Sequence, residues 1–142
     1  MLPQNAQIQD FTMEHYDKAL ALWRSDAHIG LSSADERAAM ERFLRRNRGL
    51  CKVVFDEGRL VGTILCGHDG RRGYIYHLHI QPEHRRGGLG TLLVNACLDD
   101  LRGEGIRKCH LFIFKDNEGG KRFWASTLWK RRDDIEVFSM DI

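Results

Sequence analysis

One stretch of this chain leaves little freedom in how it folds. Tyr74, Tyr76, Leu78 and Ile80 alternate with Ile75, His77 and His79, and the run stops at Pro82. That is the period of a strand over residues 73–80. Arg85-Arg86-Gly87-Gly88-Leu89-Gly90 follows, and from Leu89 onward Leu92, Leu93, Ala96 and Leu101 form a helical stripe that ends at Gly103 and Gly105. A strand, a glycine turn and an amphipathic helix therefore come in immediate succession. The first amides of a helix lack internal partners, and the aligned peptide dipoles add partial positive charge, so an anion is stabilised at that end. A dinucleotide fingerprint needs a third glycine where Leu93 stands, and a Walker loop needs Gly-Lys-Ser/Thr, so neither nucleotide fold fits. Taken alone, the six residues read either as a tight turn without a ligand or as an anion cradle.

The remaining elements surround this unit. Residues 8–11 read as a first strand, and residues 13–24 as a helix carrying Tyr16, Ala19, Leu20 and Trp23 at helical spacing. Ser33-Ala34-Asp35-Glu36 has the spacing of a capping box that starts a second helix ending near Asn47, with Met40, Phe43 and Leu44 on its apolar face. Residues 51–55 and 60–66 are apolar runs around Asp56-Glu57-Gly58, a hairpin. Residues 109–114 read as a buried strand, residues 119–128 as a short last helix, and residues 135–140 as a closing strand.

At 142 residues, with 42% apolar and 30% charged side chains, the chain is expected to form one domain over residues 1–142. The formal net charge of +2 is too small to point to nucleic acid, and the doublets Arg45-Arg46, Arg71-Arg72 and Arg131-Arg132 read as solvated faces. Cys51, Cys66, Cys97 and Cys109 show no C-x-x-C spacing, which favours reduced core thiols. No apolar run reaches the roughly 18 residues of a membrane span, so the expected compartment is the cytoplasm.

The sequence resembles the GNAT superfamily of N-acetyltransferases, whose diphosphate loop reads Gln/Arg-x-x-Gly-x-Gly/Ala after a strand ending in an apolar-x-Pro segment. Arg85, Gly88 and Gly90 match, preceded by Leu78-His79-Ile80-Gln81-Pro82. The family's second signature, an asparagine three residues before a small residue and seven before an aromatic, is met by Asn117, Gly120 and Trp124. The resemblance implies an α/β (α+β) fold with a central mixed, mostly antiparallel twisted sheet of six to seven strands and about four helices. It implies acetyl-coenzyme A as co-substrate and transfer of its acetyl group to a primary amine of a small molecule or peptide, by direct attack in a ternary complex. Arg85, Arg86, Gly87, Gly88, Leu89, Gly90 and Thr91 are then the diphosphate cradle, the backbone of Leu78, His79 and Ile80 pairs with the pantetheine arm, and Asn117 and Trp124 lie on the cofactor side. Pairing of two copies through residues 135–140 follows by the same analogy, and residues 26–32 are expected to wall the acceptor.

Two positions depart from the family. Trp124 stands where many members carry a tyrosine that protonates the departing thiolate, and an indole N–H is no usable acid. A leaving thiol with a pKa of about 8.5 departs without much help, so acetyl transfer remains the leading reading and a non-catalytic acyl-coenzyme A sensor on the same fold the alternative. Leu128 replaces a glycine that usually ends the last helix in a left-handed turn. For deprotonating the amine, the family's positions fall on Tyr74 and Tyr76, which share a face and suit the orientation of a water. His77 and His79 have better pKa values for the task, but strand alternation turns them to the other face unless a bulge intervenes. Two histidines with no third ligand do not make a metal site, and none is expected.

Overall fold

The computed structural model describes residues 2–142, which divide into two compact units, residues 2–112 and residues 113–142. The first holds one five-stranded sheet in the order β1-β2-β3-β4-β5, with β1 Ala6–Asp10, β2 Lys52–Asp56, β3 Arg59–His68, β4 Gly73–Ile80 and β5 Cys109–Leu111. The first four strands are antiparallel, and β5 alone runs parallel to β4. Its helices are α1 Tyr16–Arg24, α2 Arg37–Arg46 and α3 Leu89–Gly103. The β2–β3 turn at Glu57 and Gly58 has φ 51° and 78°, the I′ geometry that matches strand twist in a two-residue hairpin.

Helix α1 packs on β3 and β4, and α3 packs on β2, β3 and β4. Leu65 of β3 joins the cluster that buries Phe11, Tyr16, Ala19, Trp23 and Met40. Gly73 of β4 lies instead against Leu101 of α3, so the two sets of helices cover opposite faces. Burial on both faces explains why β3 is mostly apolar from Leu60 to Cys66, with Thr63 the one polar side chain in that stretch. On the α3 side the buried stripe is Leu89, Leu93, Val94, Cys97 and Leu101.

The mixed, mostly antiparallel sheet agrees with expectation, but it has five strands and not six or seven. Residues 135–140 form no strand: Ile135, Val137, Phe138 and Met140 are all exposed, and the backbone of this segment enters no ladder among the described residues. β5 is three residues long and stops at Leu111. The capping box sits one residue earlier than its spacing suggests: Ser32 accepts from the amide of Ala34, and Asp35 accepts from the amide of Ser32. That box closes a 3₁₀ turn, Ser33–Asp35, and α2 begins only at Arg37. A second 3₁₀ turn, Met13–His15, likewise occupies the start expected of the first helix.

The second unit contains α4, Glu118–Ala125. It ends before Leu128, with the hydroxyls of Ser126 and Thr127 donating to the carbonyls of Phe123 and Trp124. Leu128 does not have positive φ, so the leucine in place of glycine carries no left-handed strain.

Candidate active site

β4 carries a bulge that decides which side chains meet. Leu65 pairs with Tyr76 and Thr63 with His79, so two residues of β3 span three of β4. The extra residue is His77, held at φ 50°, in the left-handed region that a non-glycine residue rarely adopts. Cross-strand partners share a face, so Tyr76 and His79 both point to the α1 side. His77 joins them, its ring centroid 4.8 Å from that of Trp23.

A polar network fixes this bulge. Trp23 Nε1 donates to Thr63 Oγ1 at 2.8 Å, and that hydroxyl donates to the His77 carbonyl at 2.9 Å. His77 Nε2 lies 2.7 Å from Asp35 Oδ1, while Asp35 Oδ2 accepts from the Ser32 amide at 2.9 Å. The Tyr16 hydroxyl donates to the Asp35 carbonyl at 2.6 Å, and the Arg37 guanidinium lies over the Tyr16 ring. His79 Nδ1 is 2.9 Å from Asp26 Oδ2, and its Nε2 is buried with no hydrogen-bond partner among the described residues. Burial pushes the Asp26 carboxyl up, but the hydrogen bonds from His79 and the His28 amide, with the charges of His79 and Arg85, outweigh it and hold the carboxyl below its ordinary value.

Tyr76 stays 39% exposed, edge-on to Phe43 of α2 and stacked on Tyr74, which also contacts His110 and Phe112. Burial, then the neighbouring Tyr74 and Cys109, raise the Tyr76 hydroxyl above its ordinary value. It is therefore protonated at neutral pH, and its hydroxyl can orient a water.

One edge of β4 is open. β5 pairs only with Gly73, Tyr74 and Ile75, so residues 76–80 have no strand on that side. The Gln81 amide donates to the Val61 carbonyl, which by strand alternation turns His79 toward β3 and the backbone groups of Leu78 and Ile80 to the open edge. Arg85 Nε already donates to the Ile80 carbonyl at 2.7 Å, with its guanidinium 3.9 Å from Asp26.

A 3₁₀ turn, Pro82–His84, leads from this edge to the glycine turn and is tied to β2 by His84 Nε2, 3.0 Å from Asp56 Oδ2. Arg86 and Gly88 have φ 65° and 87°. Glycine is the residue that accepts the second of these conformations without strain. The first bond into α3 runs from the Leu92 amide to the Gly88 carbonyl, and the amides of Arg86, Gly87, Gly88, Leu89, Gly90 and Thr91 have no acceptor among the described residues. Six successive free donors at a helix N-terminus fit an extended polyanion such as a diphosphate. Leu89 is fully buried and anchors the start of α3 in the core.

Asn117 and Trp124 belong to the second unit. Asn117 Oδ1 caps α4 by accepting from the Gly120 amide at 2.8 Å, and Trp124 packs edge-on to Phe123 and against Trp129. No local spacing announces Asp26 and Asp35 as partners of the histidines, because they lie 53 and 42 residues from them in the chain. Among the described residues no cluster of His, Cys, Asp or Glu has the geometry of a metal site, and no helix is long and apolar enough to cross a membrane.

The sequence and the fold have counterparts in known proteins. An acetyltransferase of Pectobacterium atrosepticum is 28% identical over 112 residues, covering 79% of each chain. A ribosomal-protein-alanine N-acetyltransferase of Brucella melitensis shares the fold with a TM-score of 0.73 at 18% identity, covering 96% of this chain and 100% of its own. The PaiA N-acetyltransferase of Thermoplasma acidophilum, solved in complex with coenzyme A, gives a TM-score of 0.72 at 15% identity, covering 85% of this chain and 87% of its own. The model of the acetyltransferase (GNAT) family matches residues 16–128, from the start of α1 to beyond α4, and the chain belongs to that family.

Proposed function

We propose that this protein transfers the acetyl group of acetyl-coenzyme A to a primary amine on a small molecule or peptide, by direct attack within a ternary complex. The observation that carries the reading is the run of six free amides, Arg86 to Thr91, at the start of α3 and directly beyond the open edge of β4. The structural neighbour that binds coenzyme A and the one that acts on a ribosomal-protein alanine support the same chemistry.

In this reading the six amides, with the positive end of α3 and Arg85, bind the diphosphate. The backbone of Leu78 and Ile80 on the open edge aligns the pantetheine arm, the edge at His79 being taken by β3. Asn117 keeps Nδ2 free to donate, since its Oδ1 is engaged as a cap. Bound acetyl-coenzyme A supplies a thioester whose carbonyl carbon accepts the amine. Tyr76, with Tyr74 stacked on it, donates a hydroxyl that orients a water at the open face. Trp124, packed among aromatic rings, has no acidic proton to give a departing thiolate.

Trp124 favours a second reading, in which the same site binds acyl-coenzyme A without turnover. One assay separates the two: free thiol released from acetyl-coenzyme A is followed against a panel of amines, amino sugars, polyamines and peptide N-termini. Saturable release with any acceptor supports transfer. Tight coenzyme A binding with no release across the panel supports the sensor.

A further inference from the structure

The proposed reaction needs the acceptor ammonium to lose a proton before its nitrogen attacks, and an imidazole, whose ordinary pKa lies near neutrality, is better suited to take it than a phenol. We infer that His77 is that base and that Asp35 is its positioning residue. The inference rests on the acetyl-transfer reading above.

An ionised carboxylate only accepts hydrogen bonds. With Asp35 Oδ1 2.7 Å from His77 Nε2, the neutral imidazole carries its proton on Nε2 and presents the lone pair of Nδ1. Nδ1 bonds to no described group, and the side chain keeps 13% exposure. Asp35 is itself held rigidly: its other oxygen takes the Ser32 amide and its carbonyl takes the Tyr16 hydroxyl, in a carboxylate only 9% exposed. The charged and titratable groups around the ring are Asp35 from the Ser33–Asp35 turn, with Tyr16 and Arg37 behind it, and on β4 Tyr76 and the His79–Asp26 pair. The arrangement repeats the logic of a carboxylate that fixes the tautomer of a catalytic imidazole.

Backbone geometry adds an independent sign. The φ of 50° at His77 is uncommon outside glycine, and such outliers persist where the surroundings over-determine them. Here that conformation turns the ring onto the face that carries exposed Tyr76 and sets it next to Leu78, whose backbone lies on the open edge.

The proton balance is simple. Nδ1 takes one proton from the acceptor ammonium and the imidazolium is held against Asp35. The freed amine nitrogen then bonds to the carbonyl carbon as the carbon–sulfur bond breaks. The amine's second proton ends on the departing sulfur, and His77 returns its proton to solvent.

The test uses the full chain labelled with ¹⁵N-histidine and titrated by NMR without ligand. The neutral form of His77 is expected to carry its proton on Nε2, and Asp35→Asn, whose amide can donate, is expected to shift it to Nδ1. In parallel, His77→Asn keeps a side chain that tolerates left-handed backbone. It is expected to lower acceptor-dependent thiol release by about 10²-fold or more while leaving coenzyme A binding unchanged. The acidic limb of kcat/KM in the unmodified protein is expected at the NMR midpoint of His77. A neutral His77 protonated on Nδ1, or a His77→Asn variant with undiminished turnover, overturns the inference. Absence of coenzyme A binding by the unmodified protein would contradict the acetyl-transfer reading instead, and the NMR result would still decide the tautomer.

Discussion

Trp23 and Thr63, forty residues apart, share a hydrogen bond of 2.8 Å between groups that are both fully buried. Through the Thr63 hydroxyl this bond reaches the His77 carbonyl, so helix α1, strand β3 and the β4 bulge are joined by one short chain of donors.

Thr63→Val keeps the shape but strands the indole N–H and the His77 carbonyl. Leaving such buried groups unpaired costs about 1–3 kcal/mol. A urea unfolding curve should show a lower midpoint with an unchanged slope. An unshifted midpoint would mean that the bulge is held by packing alone.

Asp26 links stability to acid. Its folded-state carboxyl lies below the ordinary value despite its burial, through His79, the His28 amide and Arg85. Its contribution is therefore complete above the ordinary carboxylate range and is lost as pH falls through the depressed folded value. Asp26→Asn should narrow the gap between the unfolding midpoints at neutral and acidic pH. An unchanged gap would exclude Asp26 as a source of acid sensitivity.

The thiols should be inert in the native protein. Burial pushes Cys51 and Cys109 up to about 12, and the neighbouring Cys97 thiol, with burial, raises Cys66 as well. Only the thiolate reacts with a disulfide reagent. At mildly alkaline pH these three should stay unlabelled until urea is added, when all four cysteines react. Rapid native labelling of Cys51 would contradict the burial described.

Much of this site is legible in the sequence, for identifiable reasons. The bounds of β4 follow from strict alternation closed by Gly73 and Pro82, and α3 from an apolar stripe between glycines. The bulge is different: alternation alone separates His77 from Tyr76, and only the register against Thr63 and Leu65 unites them. Asp26 and Asp35 reach the histidines through tertiary packing that no local pattern encodes. Residues 135–140 show the converse, since alternation describes a strand's faces but not whether a neighbouring backbone is there to pair with it.

Coenzyme A binding by calorimetry, compared with Gly88→Asp, tests the central claim most directly. The substitution places a side chain at φ 87° and a negative charge among the six free amides. Saturable binding by the unmodified chain is expected, and its loss in the variant, with the fold retained by circular dichroism. No binding by the unmodified chain, or equal binding by both, would contradict it.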